Sequence, residues 1–149
     1  MHKVIRKMDH HDIHFVHYAL PDMALGDADT SMRIGSITLD APVLVMVNKA
    51  REAALAERKY GMNAVLATKG GVRAFKSGRS TLLRGYVLHK VNDGLEAAKV
   101  IRIDKKSIPY VTLGTARRSG EILKQLKIAM FLTNSKSISE LKRAPIYEG

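Results

Sequence analysis

The stretch Ala41-Pro42-Val43-Leu44-Val45-Met46-Val47, with the residues that follow it to Asn63-Ala64-Val65-Leu66-Ala67, decides the fold. A continuous apolar run dense in valine is the pattern of a strand buried on both faces. Asn48 stands where a helix cap is wanted, an alanine-rich helix is predicted over about Lys49 to Tyr60, and Gly61 suits its C-terminal stop. The second apolar run closes at Gly70-Gly71. Strand, helix, strand is the unit of a parallel α/β sheet.

Reading toward the C-terminus, residues 74–91 are ambiguous, with Leu82, Leu83, Val87 and Leu88 offering a helical face. Asp93 with Glu96 makes a capping-box start for a helix from Gly94 to about Arg102. Ile108 to Leu113 reads as a third strand, closed by Gly114. Ile122, Leu123, Leu126, Ala129 and Met130 mark an amphipathic helix that Asn134 ends, and Ser137 with Glu140 caps a last short helix. Toward the N-terminus, Ser36-Ile37-Thr38-Leu39 suggests a short strand. Residues 1–31 are polar, histidine-rich and turn-rich, an extended arm with little regular structure. Asp9, Asp22, Asp27, Asp29 and Asp40 fall in loop-like sequence and are expected to form turns and caps. The expected organisation is one domain over 1–149: an arm (1–41), βα units (42–116) and C-terminal helices (117–149).

Composition narrows the class. No tryptophan and three phenylalanines leave a core of aliphatic residues. No cysteine is present, which excludes disulfides, thiolate metal sites and cysteine nucleophiles and suits a cytoplasmic protein. No stretch approaches the roughly 20 apolar residues of a membrane span. Twenty-five Lys and Arg against fourteen Asp and Glu give +11, a balance that favours phosphorylated small molecules or nucleic acid. The cations recur singly or in pairs rather than as one block, so nucleic acid is the less expected partner.

Two constellations bear on chemistry. In Thr68-Lys69-Gly70-Gly71-Val72-Arg73, glycines after a strand let backbone amides approach a phosphate, and an arginine adds a charge-assisted bond. Five of the six histidines lie at 2, 10, 11, 14 and 17. His10 and His14, or His14 and His17, would share a helical face able to hold zinc, yet no further ligand cluster supports a metal site.

Read in order, Ile5-Arg6-Lys7-Met8-Asp9-His10, His17-Tyr18-Ala19-Leu20-Pro21-Asp22, Asp29-Thr30-Ser31 and Asp40-Ala41-Pro42 resemble the N-terminus of type 2, flavin-dependent isopentenyl diphosphate isomerases. Leu126 to Met130 and Ser137 to Lys142 resemble that family's last two helices. The resemblance implies an α/β fold, here a partial TIM-barrel-like (β/α) unit with an extended N-terminal arm and C-terminal helices. It implies flavin mononucleotide (FMN), reduced in the family by NAD(P)H, with Gly70, Gly71, Arg73, Gly114, Thr115 and Ala116 holding the cofactor's phosphate. It implies that Arg6, Lys7 and His10 grip the substrate's diphosphate, two cations and an imidazole suiting a dense anion.

The chain also departs from the family. Ala74 to Asn92 separate the glycine turn from the helix that follows it directly in the family, and Lys69 replaces a small residue. The Met-Thr-Gly-Gly turn and the Ser-Gln-Arg element have no counterpart. The His-x-Asn-x-x-Gln-Glu segment, which supplies the magnesium carboxylate and the proton-handling residues, is absent too. A barrel of this kind takes roughly 250 residues, so the centre is missing and a homo-oligomer is expected. Catalytic residues are not identified. The alternatives to a shortened isomerase relative are a non-catalytic basic α/β module that binds a phosphorylated ligand or nucleic acid, and an inactive remnant.

Overall fold

The structure, a computed structural model, describes residues 9–148. In chain order these form β1 (Ile13–Phe15), β2 (Met32–Ile34), β3 (Ile37–Leu39), β4 (Leu44–Met46), α1 (Arg51–Tyr60), β5 (Ala64–Thr68), β6 (Gly71–Lys76) and β7 (Arg79–Leu82). They continue with β8 (Val87–Lys90), α2 (Gly94–Ile103), β9 (Ser107–Val111), α3 (Ser119–Leu132), α4 (Ile138–Leu141) and β10 (Ile146–Glu148). The class is α/β, with a six-stranded mixed sheet in the order β7-β6-β5-β4-β9-β8. Strands β5, β4, β9 and β8 run parallel, while β6 and β7 turn back antiparallel.

The valine-rich run does what its pattern predicts. Val43, Val45 and Val47 face one core with Ala64, Val111 and the helical residues Ala98, Ile101, Ile122, Leu126 and Met130. Leu44, between them, faces a second core with Val65, Ala74 and Ile108. Ile34, Ile37 and Leu39 of the β2–β3 hairpin cover that second face. Helices thus lie on one face of the sheet and a hairpin on the other.

The arm is tied down more than its composition suggests. β1 pairs antiparallel with β10, Ile13 opposite Glu148, so the two ends of the described chain close on each other. Three of its aspartates make turns as expected: Asp9, Asp27 and Asp29 accept the backbone N–H of His11, Ala24 and Ser31.

Helix ends follow the sequence with one exception. Asp93 accepts the Glu96 N–H at 2.8 Å, Ser137 accepts the Glu140 N–H at 3.2 Å, and Gly61 ends α1 at φ 63°. Asn48 does not cap α1. Instead Glu52 reaches back and accepts the N–H groups of Asn48 and Lys49 at 3.1 and 2.9 Å, tying the loop before α1 to its first turn.

Residues 74–91 are strand rather than helix. Thr68 opposes Gly71 across a two-residue loop, and Lys76 opposes Arg79 across Ser77-Gly78. Ser77 and Gly78 have φ 50° and 78°, positive at both central positions, as the tight turn whose twist matches a hairpin requires. The leucine pairs that imitate a helical face belong to two strands and the loop between them.

Candidate functional site

The two glycine elements singled out in the sequence follow strands of the parallel set. Gly70 and Gly71 turn the chain after β5, and Gly114, Thr115 and Ala116 follow β9. Because β5 and β9 are parallel and flank β4, both elements open on the same edge of the sheet, on the order of 10 Å apart from two strand spacings.

Between them that edge carries a negative group. Glu52, bonded to Asn48 and Lys49, sits at the end of β4. An anion at this edge is therefore favoured at the β9 turn rather than across β4. There, Thr115–Arg118 form a 3-10 turn that leads into α3 through Arg118, at φ −99° and ψ 25°, so Gly114 stands at the start of a short helical turn. Gly114 is exposed, and a Cβ on it would make only ordinary contact with Thr112 Oγ1 at 3.9 Å. The Thr115 N–H bonds Thr112 Oγ1 at 3.3 Å and the Ala116 N–H bonds the Thr112 carbonyl at 2.9 Å. The exposed Gly114 end of the segment and the exposed Arg117 remain to face a ligand, while Arg118 Nη2 donates to the Asn92 carbonyl at 3.0 Å. Such a helix start fits a phosphate group. It does not form a complete cup.

Arg73 is not part of that edge. Its Nη1 donates to Ser80 Oγ at 3.0 Å across the β6–β7 hairpin, and its side chain lines a cleft with Arg84 and Lys106. None of Gly114, Thr115 and Ala116 lines this cleft. The tertiary structure thus divides the six residues grouped by resemblance into a glycine edge and an arginine cleft.

Arg6 and Lys7 lie outside the described residues. His10, the third member of the diphosphate grip, is buried and pinned. Its Nε2 lies 3.3 Å from Glu96 Oε2 and its Nδ1 lies 3.4 Å from Asp9 Oδ1. The ring lies 3.9 Å from that of His11, tilted by 40°, and meets His89 edge-on at 6.0 Å. Both nitrogens can donate to these carboxylates only when the imidazole is protonated.

Asp9, His10 and His11 bring ligand atoms within 4.8 Å of one another, a grouping that a metal ion could use. The helical zinc face considered for the arm does not form. His14 lies in β1 and stacks on Tyr147 at 5.3 Å, away from His10.

The arm's aspartates carry a pH consequence. The His11 backbone N–H, reinforced by nearby histidine charge, holds the Asp9 carboxyl below its ordinary value of 3.8. The Ser31 backbone N–H and hydroxyl do the same for Asp29. A carboxyl with a lowered folded pKa binds protons later than in the unfolded chain, so its support is complete above 3.8 and is lost as pH falls through the lowered value. The amide resonances of His11 and Ser31 should therefore titrate with midpoints below 3.8. Midpoints at or above that value would mean that these turns are not formed.

Two further surfaces carried no sequence signal. A groove of about 440 Å³ between α2, α3 and the β1–β10 pair has mainly apolar walls that include Phe15, Leu95, Ile128 and Tyr147. The cleft that holds Arg73 gathers residues spread from 34 to 106. Among the described residues, no helix is long and apolar enough to cross a membrane. Comparison with known protein families and with curated proteins finds no match to this chain.

Proposed function

We propose that this chain is a shortened relative of type 2 isopentenyl diphosphate isomerases. In this reading it is a partial TIM-barrel-like unit that binds flavin mononucleotide by its phosphate. The observation that carries the reading is the exposed Gly114 turn at the start of a helical segment, after a strand of the parallel set. A strand's C-terminal end followed by a helix start is where barrels of this type receive phosphate groups. The ordered motifs at the two ends of the chain add the family.

When bound, reduced flavin supplies the proton-transfer chemistry of allylic isomerisation in that family, with isopentenyl diphosphate as substrate. This chain contributes the helix start and the exposed Arg117, which hold the phosphate, and a positive field that draws anions. No acid–base pair is assigned to it, and the family's magnesium has no matching carboxylate. The function proposed is therefore ligand binding in the cytoplasm. Among the described residues β7 and β8 are the outer strands of the six-stranded sheet, and open sheet edges support assembly as a homo-oligomer.

The test is retention of a yellow chromophore after purification with added flavin mononucleotide, followed by titration of Gly114→Asp. Gly114 has φ −63°, which any residue adopts, and an aspartate at a helix start does not harm folding. Its carboxylate would repel the phosphate, and we expect affinity to fall at least about tenfold, as 1.4 kcal/mol of lost interaction gives. Absence of bound flavin at saturating concentration, or equal affinity in the variant, would sink the proposal.

A further inference from the structure

The open cleft beside the β6–β7 hairpin has a volume of about 470 Å³ and is lined by three cations from distant parts of the chain: Arg73 on β6, Arg84 after β7 and Lys106 before β9. Among the described residues, no acidic side chain lines it. Among the described residues, no carboxylate pairs with any of the three. Convergence of like charges costs free energy unless an anion offsets it.

The walls are built rather than accidental. The tight Ser77-Gly78 turn aligns β6 with β7, so Arg73 opposes Leu82 and Phe75 opposes Ser80. That register lets the Arg73 guanidinium lean on the Ser80 hydroxyl, which fixes the fork and leaves its remaining donors for a ligand. Gly35, at φ 53° in the β2–β3 turn, lies so close to Thr81 that a Cβ would strike the threonine hydroxyl. The hairpin is thereby seated against β7.

On the opposite wall the Val87 N–H donates to the Lys106 carbonyl at 2.8 Å, which holds the Arg84–Tyr86 loop against the start of β9. Lys106 Nζ lies over the Tyr86 ring at 4.4 Å from its centre, a contact that orients the ammonium without neutralising it. The surrounding charge is mixed: Lys142 adds a cation near Lys106, and Asp104 Oδ1 accepts the Lys106 backbone N–H at 2.9 Å, opposing the lysines. The Lys142 ammonium is held below its ordinary value, by burial first and then by the charge of Lys106.

We propose that this cleft is a second anion site, taking the phosphate or diphosphate group of a small organic phosphate. Arg73, Arg84 and Lys106 neutralise the charge, and the Ser80 hydroxyl, on the same face as Arg73, faces the remaining oxygens. Arginine is suited to this work because its planar fork meets two phosphate oxygens at once. The site is separate from the Gly114 turn and does not depend on flavin binding there. It also gives Arg73 a role that the glycine turn does not.

The test is calorimetric titration of the full chain with inorganic pyrophosphate and, separately, with inorganic phosphate, at low and at physiological salt. The double variant Arg84→Gln with Lys106→Gln changes two exposed side chains and should fold. It should bind pyrophosphate at least about tenfold more weakly, while Lys69→Gln, an exposed cation outside the cleft, should not. Tighter binding of pyrophosphate than phosphate would identify a diphosphate ligand, and comparable binding a monophosphate; both support the site.

Equal pyrophosphate affinity in the double variant, or an equal loss in Lys69→Gln, would overturn it. So would a single-stranded RNA that outcompetes pyrophosphate with a salt dependence larger than three cations produce, at about 0.7 per phosphate in the logarithmic slope. Failure here is distinguishable from failure of the flavin reading. The double variant should keep its flavin affinity, and Gly114→Asp should keep its pyrophosphate affinity.

Discussion

Replacing Gly94 with alanine should destabilise the protein by about 3 kcal/mol, the upper range for overpacking in a well-packed interior. Gly94 opens α2 where that helix crosses α3. A Cβ built there would strike the Ile122 carbonyl oxygen and lie 2.6 Å from Gln125 Cβ and 2.7 Å from the Leu126 backbone nitrogen. Two of these atoms are α3 backbone, so no rotamer change relieves the clash and the helices must part.

Parting them has two further costs. The Gly94 N–H loses its 2.7 Å bond to Gln125 Oε1, and the apolar seam of Ala97, Ile101, Ile122 and Leu126 opens. On propensity alone the same change would stabilise a helix by up to about 1 kcal/mol, so the sign itself is diagnostic. Denaturant unfolding of the two proteins measures it. A variant as stable as the parent would mean that α2 and α3 do not meet at this residue.

Leu44→Ala is expected to cost about 2–5 kcal/mol, the range for removing a buried leucine and leaving a cavity. Leu44 is 0% exposed and points into the core under the β2–β3 hairpin, away from the helices. Its partners Ile34, Ile37 and Leu39 hold the hairpin whose Gly35 turn meets β7. The variant should therefore lose pyrophosphate affinity along with stability. Leu55→Ala is the control. Leu55 lies on α1 and is 45% exposed, so its truncation should change stability by no more than about 0.5 kcal/mol. Equal losses at the two positions would show that β4 is not buried on both faces. Typical domain stabilities are about 5–15 kcal/mol, so either core change is large enough to be read at equilibrium.

Much of the α/β framework is legible because its signals are local. Val43 to Val47 carry the two-faced apolar pattern, Asp93 and Ser137 stand three residues before glutamates at helix starts, and Gly61 stops α1. Each statement needs only neighbours along the chain. The 74–91 segment was not legible for a related reason. Leu82-Leu83 and Val87-Leu88 have a spacing that helices and paired strands both allow, and Ser77-Gly78 marks a hairpin only once β6 is known to pair with β5 and β7. Pairing is a long-range property.

The candidate sites divide along the same line. The glycine turns, the excess of cations, the lack of cysteine and the order of motifs that suggests a phosphate ligand are readable along the chain. That Arg73 leaves the glycine edge for a cleft with Arg84 and Lys106, and that His10 is spent on Glu96 and Asp9, emerges from the folded packing. The physical reason is that a charge's partners are chosen by distance in space. Strand register and hairpin seating set those distances, and neither is written in the residues adjacent to the charge.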